Sequence, residues 1–170
     1  MSNYCPSCGE VGCNFLGNSK AKYLLVFNKP YPASVGVVNK YKKQQLSGLD
    51  VLRKEMSKCG MDLQGDFRLS WIWLHEVSKN LECFKYGKNL VLDEAKGKQA
   101  VILVGAEPVE EFTGLSASDV YGLQVESSTF SAPVVFVLPK PESMFVRGSG
   151  IGELRLSVQK LGKVLEDNEF

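Results

Sequence analysis

Residues 23–32 read YLLVFNKPYP, in which the apolar run Tyr23–Phe27 stops abruptly at a segment with two prolines. An unbroken run of β-forming apolar residues is typical of an interior strand of a parallel sheet, which is buried on both faces. Because proline cannot continue a central strand, the segment predicts a rigid loop at the carboxyl end of this strand. Ligands of open α/β sheets bind at such ends, so Asn28 and Lys29 lie where a functional site is expected.

Three further apolar runs predict strands at 67–74, 100–104 and 134–138. Between the first two strands, Leu49, Leu52 and Met56 recur at helical spacing, with Ser47 as a plausible cap. Further helices are predicted at 81–95, 109–112 and 151–165. Strands that alternate with helices predict an α/β fold, a three-layer αβα sandwich around a central, mostly parallel four-stranded sheet.

Length and composition indicate a single domain over residues 1–170. The chain is 44% hydrophobic, enough for one sizeable core, and its composition does not change along its length. Apolar runs of the ~18 residues that span a bilayer are absent from the sequence, and so is a signal-peptide pattern. We therefore expect a cytoplasmic protein.

The charge pattern, with 20 basic and 19 acidic residues, leaves a net charge of +1, which does not by itself imply a nucleic-acid partner. Two basic groups surround aromatic residues, however: Lys42 and Lys43 follow Tyr41, and Lys140 and Arg147 flank Phe145. Such interleaving can hold phosphates while a base stacks on the ring. The alternative is a solvated, lysine-rich loop.

The five cysteines suggest a metal site. Cys5 and Cys8 lie on one tight turn of an N-terminal knuckle at 5–13, at a spacing that metal knuckles use. The remaining ligand candidates are Cys13, His75, which is the only histidine, and Cys83. The alternative is a set of reduced cysteines in a cytosolic protein, with His75 as an ordinary loop residue.

Several segments together carry a resemblance to a known family. They are Cys5 to Cys8, 17–22, the Asn28-Lys29-Pro30 loop, 47–52, 59–62, 101–105 and 132–141. In this order they resemble the iron-sulfur-containing branch of the uracil-DNA glycosylase superfamily, over roughly residues 5–165. Each segment is weakly specific, and it is their order that is informative.

The resemblance makes the metal site more specific. The family holds a cluster with two N-terminal cysteines, one cysteine after the second strand and one on the following helix. Here these positions are Cys5, Cys8, His75 and Cys83, with Cys13 as an alternative fourth ligand. Three thiolates and one imidazole suit zinc at least as well as a 4Fe-4S cluster. We expect the metal to be structural, clamping the N-terminal arm to the sheet.

The resemblance also implies a catalytic pocket, but its residues are altered. Asn28 takes the place of the family's water-positioning residue, which is Asn in some branches, and Lys140 replaces the histidine of the last motif. Asn28 can orient a water but is not a general base, whereas Lys140 can neutralise a developing negative charge. The base pocket would contain Pro30, Tyr31 and Trp71, with Trp71 in place of the asparagine that reads uracil.

A DNA-facing surface is the remaining implication of the resemblance. Met144 and Phe145 are suitable wedges for the minor groove, and Arg147 could bind phosphate, as could Lys42 and Lys43. The alternative is that Met144 and Phe145 pack inward. We therefore predict a DNA-binding protein of replication or repair, compatible with a phage gene and the host cytoplasm, whose base excision is lost or altered. The alternatives are an active glycosylase with altered base specificity and a metal-clamped protein-interaction domain.

Overall fold

The computed structural model describes residues 3–4, 11–12, 15–28, 48–73, 81–141 and 150–168. The elements in chain order are β1 (Asn3–Tyr4), β2 (Val11–Gly12), β3 (Leu16–Gly17), β4 (Tyr23–Phe27), α1 (Gly48–Lys58), β5 (Phe67–Trp71), α2 (Leu81–Ala95), β6 (Ala100–Val104), α3 (Ala106–Thr113), α4 (Ala117–Val120), β7 (Gln124–Val125), β8 (Val134–Leu138) and α5 (Gly150–Asp167). The predicted α/β class is confirmed. Within these residues, none of the helices is long and apolar enough to cross a bilayer.

The main sheet has the strand order β3-β5-β4-β6-β8-β7. Its four central strands are parallel, because β4 pairs with both β5 and β6, and β6 pairs with β8. The chain passes from β4 to β5 on one side and then crosses to β6 on the other side of β4. The direction of winding therefore switches between β4 and β6.

The sheet differs from the predicted one at its edges. It is six-stranded and mixed, since β3 pairs antiparallel with β5 and β7 pairs antiparallel with β8. The predicted strand at 67–74 ends at Trp71, because its neighbour β4 ends opposite that residue. A separate two-stranded ladder pairs Tyr4 with Val11.

Side chains alternate between two hydrophobic cores on opposite faces of the sheet. Leu25 and Phe27 of β4 belong to the core covered by α1 and α5, and Leu24 and Val26 belong to the core covered by α2 and α3. Both faces of the central strands are therefore buried, which explains why these strands are apolar throughout. The predicted apolar face of the last helix is confirmed: its buried members are Leu154, Val158, Leu161 and Leu165.

Gly87 lies where α2 approaches the sheet most closely. A Cβ atom at this position would overlap the carbonyl oxygen of Ile72 and lie 2.8 Å from its carbonyl carbon. The glycine therefore sets the distance between α2 and the end of β5.

An ion pair joins α1 to α5 across the outside of the first core. The carboxylate of Glu55, which is buried, accepts hydrogen bonds from Arg155 Nε at 3.1 Å and Nη2 at 3.2 Å, and from Lys58 Nζ at 3.2 Å. These donors, with Arg155 contributing most, hold the pKa of Glu55 below its ordinary value of 4.5. The pair connects residues that lie 100 positions apart in the sequence.

We expect this pair to make stability depend on pH in the acid range. Because the pKa of Glu55 is lowered in the folded protein, its stabilising contribution is complete above about pH 4.5 and is lost as the pH falls through the lower folded pKa. Glu55→Gln should therefore lower the urea midpoint at neutral pH, and the difference in midpoint from the original protein should narrow as the pH falls below 4.5. A difference that is constant over this pH range would contradict the expectation.

Candidate functional site

The carboxyl edge of the parallel strands carries Asn28 and Lys140, the two described residues for which the sequence analysis predicts a catalytic role. Asn28 directly follows β4, Gly105 follows β6, and Lys140 comes two residues after β8. Neighbouring strands lie about 4.8 Å apart, so the ends of β4 and β8, which β6 separates, are roughly 10 Å apart. This edge includes the switch between β4 and β6, where open α/β sheets bind ligands.

Asn28 presents an unsatisfied acceptor at this switch point. Its backbone carbonyl accepts a hydrogen bond from the backbone N–H of Trp73 at 3.1 Å, which fixes its main chain against the end of β5. Its side-chain Oδ1 is buried and accepts no hydrogen bond from the described residues. A buried polar atom without a partner costs free energy, and such atoms often mark functional positions. Oδ1 can therefore accept a hydrogen bond from water or from an N–H group of a ligand.

Gly105 brings Lys140 next to the beginning of α3. Its φ of 90° lies in the left-handed region, which favours glycine, and its N–H donates to the carbonyl of Leu138 at 3.0 Å. A Cβ on Gly105 would lie 3.5 Å from Cβ of Lys140, an ordinary contact, so backbone conformation and not space demands the glycine. Lys140 is exposed, and its cationic side chain emerges from this edge.

Trp73 was not singled out by the sequence analysis, yet it helps to form this edge. Its indole Nε1–H donates to the carboxylate of Glu107 at 2.7 Å, and its ring packs on Phe84 with centroids 5.2 Å apart. The side chain of Trp73 is half-buried. Since a partly buried indole needs a hydrogen-bond acceptor, the pair ties β5 to the first turn of α3.

Trp71 lies in the core beneath this edge. Its side chain is fully buried, and its ring meets Phe15 edge-on with centroids 5.7 Å apart. Trp71 pairs with Phe27, the last residue of β4, so the two candidate pocket positions Trp71 and Asn28 lie close along the sheet. The indole of Trp71 packs with the residues between the sheet and α1 and α5.

Of the predicted metal ligands, the structure describes only Cys83, which is buried on α2. Cys5, Cys8, Cys13 and His75 lie outside the described residues, and within the described part of the chain no three His, Cys, Asp or Glu side chains form a metal-binding group. Several other predicted site residues also lie outside the described residues: Lys29, Pro30, Tyr31, Lys42, Lys43, Met144, Phe145 and Arg147. The metal site and the predicted DNA-facing residues stay predictions.

No family model and no curated protein matches this chain.

Proposed function

We propose that the protein is a uracil-DNA-glycosylase-like DNA-binding protein of replication or repair, with lost or altered base-excision activity. The observation that carries the proposal is the buried, unsatisfied Oδ1 of Asn28 at the switch point of a parallel sheet. Asn28 and Lys140 follow β4 and β8, at the same edge, as the family's first and last motifs require. A small ligand could bridge the roughly 10 Å between the ends of β4 and β8.

The chemistry of these residues supports DNA binding more than efficient excision. A glycosylase must hold a flipped base and stabilise the charge that develops as the glycosidic bond breaks. The amide of Asn28 cannot remove a proton at neutral pH, and Lys140 supplies a cation where the family has a histidine. The indole of Trp71 is fully buried, whereas the amide that it replaces would hydrogen-bond to uracil. Base reading by this position is therefore lost or changed.

One observation favours the alternative of an active glycosylase with altered base specificity. The Oδ1 of Asn28 is available as an acceptor, so it could orient a water towards a sugar carbon, while Lys140 could stabilise the departing base. Both functions use the same edge and the same two residues. They differ only in whether the protein breaks a bond.

Assays of abasic-site formation on uracil, hypoxanthine and mismatched duplexes separate the two functions. We expect salt-dependent DNA binding without cleavage, and we expect Asn28→Ala to leave stability nearly unchanged. Gln99→Ala is the matched control, because Gln99 also has a buried, unsatisfied side-chain oxygen but precedes β6 at the opposite edge. Cleavage that Asn28→Ala abolishes and Gln99→Ala retains would establish the enzyme. If neither cleavage nor binding occurs, a metal-clamped protein-interaction domain becomes the better account.

A structural metal is the second part of the proposal. Cys5, Cys8, His75 and Cys83 would hold zinc or a 4Fe-4S cluster, with Cys13 as the alternative fourth ligand. We expect about one equivalent of zinc, or the iron and the broad visible absorbance of a cluster, in the purified protein. Metal analysis and an absorbance scan decide between them. A metal-free protein that folds normally would exclude the clamp.

A further inference from the structure

The acidic side chains of helix α1 are buried, whereas its basic side chains are exposed. Its acidic residues, Asp50 and Glu55, are only 6% and 4% exposed. Its exposed residues from the second turn onward are Arg53, Lys54, Ser57 and Lys58, here called the α1 stripe. Residues spaced by one, four and five positions lie on one side of a helix, so the stripe is continuous. The side of α1 that faces solvent is therefore basic, although the helix as a whole carries both signs.

The buried carboxylates hold the basic side chains in place. Asp50 Oδ1 accepts a hydrogen bond from Arg53 Nη2 at 2.7 Å, and Glu55 binds both Lys58 and Arg155. The side chains of Arg53 and Arg155 are each 49% exposed, and that of Lys58 is 61% exposed. Lys54 has no ion-pair partner among the residues that the structure describes. Because their acidic partners are buried, Arg53, Lys58 and Arg155 are held in place but still accessible.

The stripe borders a surface groove of about 500 Å³. Arg53, Lys54 and Ser57 form one side of the groove, and the turn after α1 forms the other with Gly60, Met61 and Leu63. Asp62 also lines it, but its Oδ1 accepts a hydrogen bond from the backbone N–H of Gln64 at 3.2 Å. The groove therefore has a cationic wall and a hydroxyl, which are groups that bind phosphate oxygens, and it also contains the carboxylate of Asp62.

The opposite layer of the protein has no comparable basic surface within the described residues. On α2 and in the turn that follows it, exposed lysines lie beside exposed acids: Lys85 lies 3.6 Å from Glu82, and Lys96 lies 3.3 Å from Asp93. Helix α3 exposes acidic side chains instead. Among the helices that the structure describes, α1 therefore stands out because its exposed charged side chains are all basic.

We propose that the α1 stripe, together with Arg155, is a second contact surface for the phosphate backbone of nucleic acid, separate from the carboxyl edge of the sheet. The inference rests on the proposed function in so far as that function assigns DNA as a partner. Lys54 and Lys58 lie about 6 Å apart along the helix axis, so they can contact different phosphates. The stripe contains no aromatic or aliphatic anchor of the kind that dominates protein–protein interfaces, which favours nucleic acid over an acidic protein.

The test compares two double variants that remove the same charge from opposite faces. Lys54→Gln/Lys58→Gln changes the stripe, and Lys85→Gln/Lys96→Gln, on α2 and in the turn after it, is the control. Binding of a short fluorescent oligonucleotide, single-stranded and duplex, is measured by anisotropy over a range of NaCl concentrations. We expect the stripe variant to bind about tenfold more weakly, with a salt slope smaller by about 0.9 for each lysine on duplex DNA, and the control to match the original protein.

The outcomes separate this inference from the proposed function. If the original protein binds no DNA, the proposed function fails; if it binds but both variants keep its salt slope, only the α1 surface fails. If the protein binds polyglutamate through the α1 stripe but does not bind DNA, the partner of this surface is an acidic protein. This outcome also overturns the inference. Lys54→Gln alone leaves the ion pairs Arg53–Asp50 and Lys58–Glu55 of α1 intact and should give half the change in slope, so an effect of misfolding is recognisable.

Discussion

Gly87→Ala is expected to destabilise the protein by about 4 kcal/mol, a large share of the 5–15 kcal/mol that typically holds a domain folded. The new methyl group would overlap the backbone carbonyl of Ile72. Unlike a side chain, this group cannot relieve the overlap by changing rotamer. Helix α2 would have to move outward, and the contacts of its buried residues Val91 and Ala95 with the sheet would loosen. Overpacking against backbone costs more than overpacking against flexible side chains.

Gly152→Ala is the matched control for this substitution. Gly152 is an exposed glycine within α5, and no atom lies within 4 Å of where its Cβ would be. Alanine has a higher helix propensity than glycine, so this substitution should raise the free energy of unfolding by about 0.5–1 kcal/mol. Urea denaturation followed by circular dichroism measures both. Equal effects of the two substitutions would mean that α2 does not approach β5 as closely as described.

Trp71→Ala should cost about 3–5 kcal/mol, because it removes the largest fully buried side chain and leaves a cavity between the sheet and the helices α1 and α5. Trp71→Phe keeps most of the volume and should cost less. Trp73→Phe removes the hydrogen bond to Glu107 at a half-buried position and gives a comparison two residues away. The free energy of unfolding and DNA affinity are measured for each variant.

This comparison bears on the predicted base pocket as well as on stability. A residue whose main role is packing loses stability when it is truncated, and DNA affinity falls only in proportion to unfolding. If Trp71→Phe preserved stability but weakened binding to DNA, Trp71 would have a direct role in recognition. We expect that Trp71 acts mainly in packing, so that DNA affinity falls only in proportion to unfolding, because the indole is fully buried.

The central strands were predictable because parallel interior strands are apolar on both faces. Tyr23–Phe27, Ala100–Val104 and Val134–Leu138 form strands with the predicted bounds, and α2 also has its predicted ends. The edge strands Leu16–Gly17 and Gln124–Val125 have two residues each, which is too short for any periodicity to appear. They form because the outer strands β5 and β8 offer unpaired backbone groups.

The candidate site was predictable only in part. The position of Asn28 at the carboxyl edge follows from the abrupt end of an apolar run, but its unsatisfied Oδ1 depends on the packing around it. The bond from Trp73 to Glu107 joins residues 34 positions apart, and the bond from Arg155 to Glu55 spans 100. Local patterns do not contain such pairings. The sequence offered one general signal: a tryptophan near the end of a predicted strand needs an acceptor for its indole N–H if it is partly buried.

Helix α5 has a consequence for the order in which the chain can fold during synthesis. It follows every strand of the main sheet, yet it supplies the four buried residues Leu154, Val158, Leu161 and Leu165 to the core that α1 shares. A nascent chain that ends before residue 150 would expose apolar side chains on that side of the sheet and leave Glu55 without Arg155. The second core, under α2 and α3, can close earlier. Folding on the ribosome should therefore proceed one face at a time, with the α1 face completed only after α5 emerges from the exit tunnel.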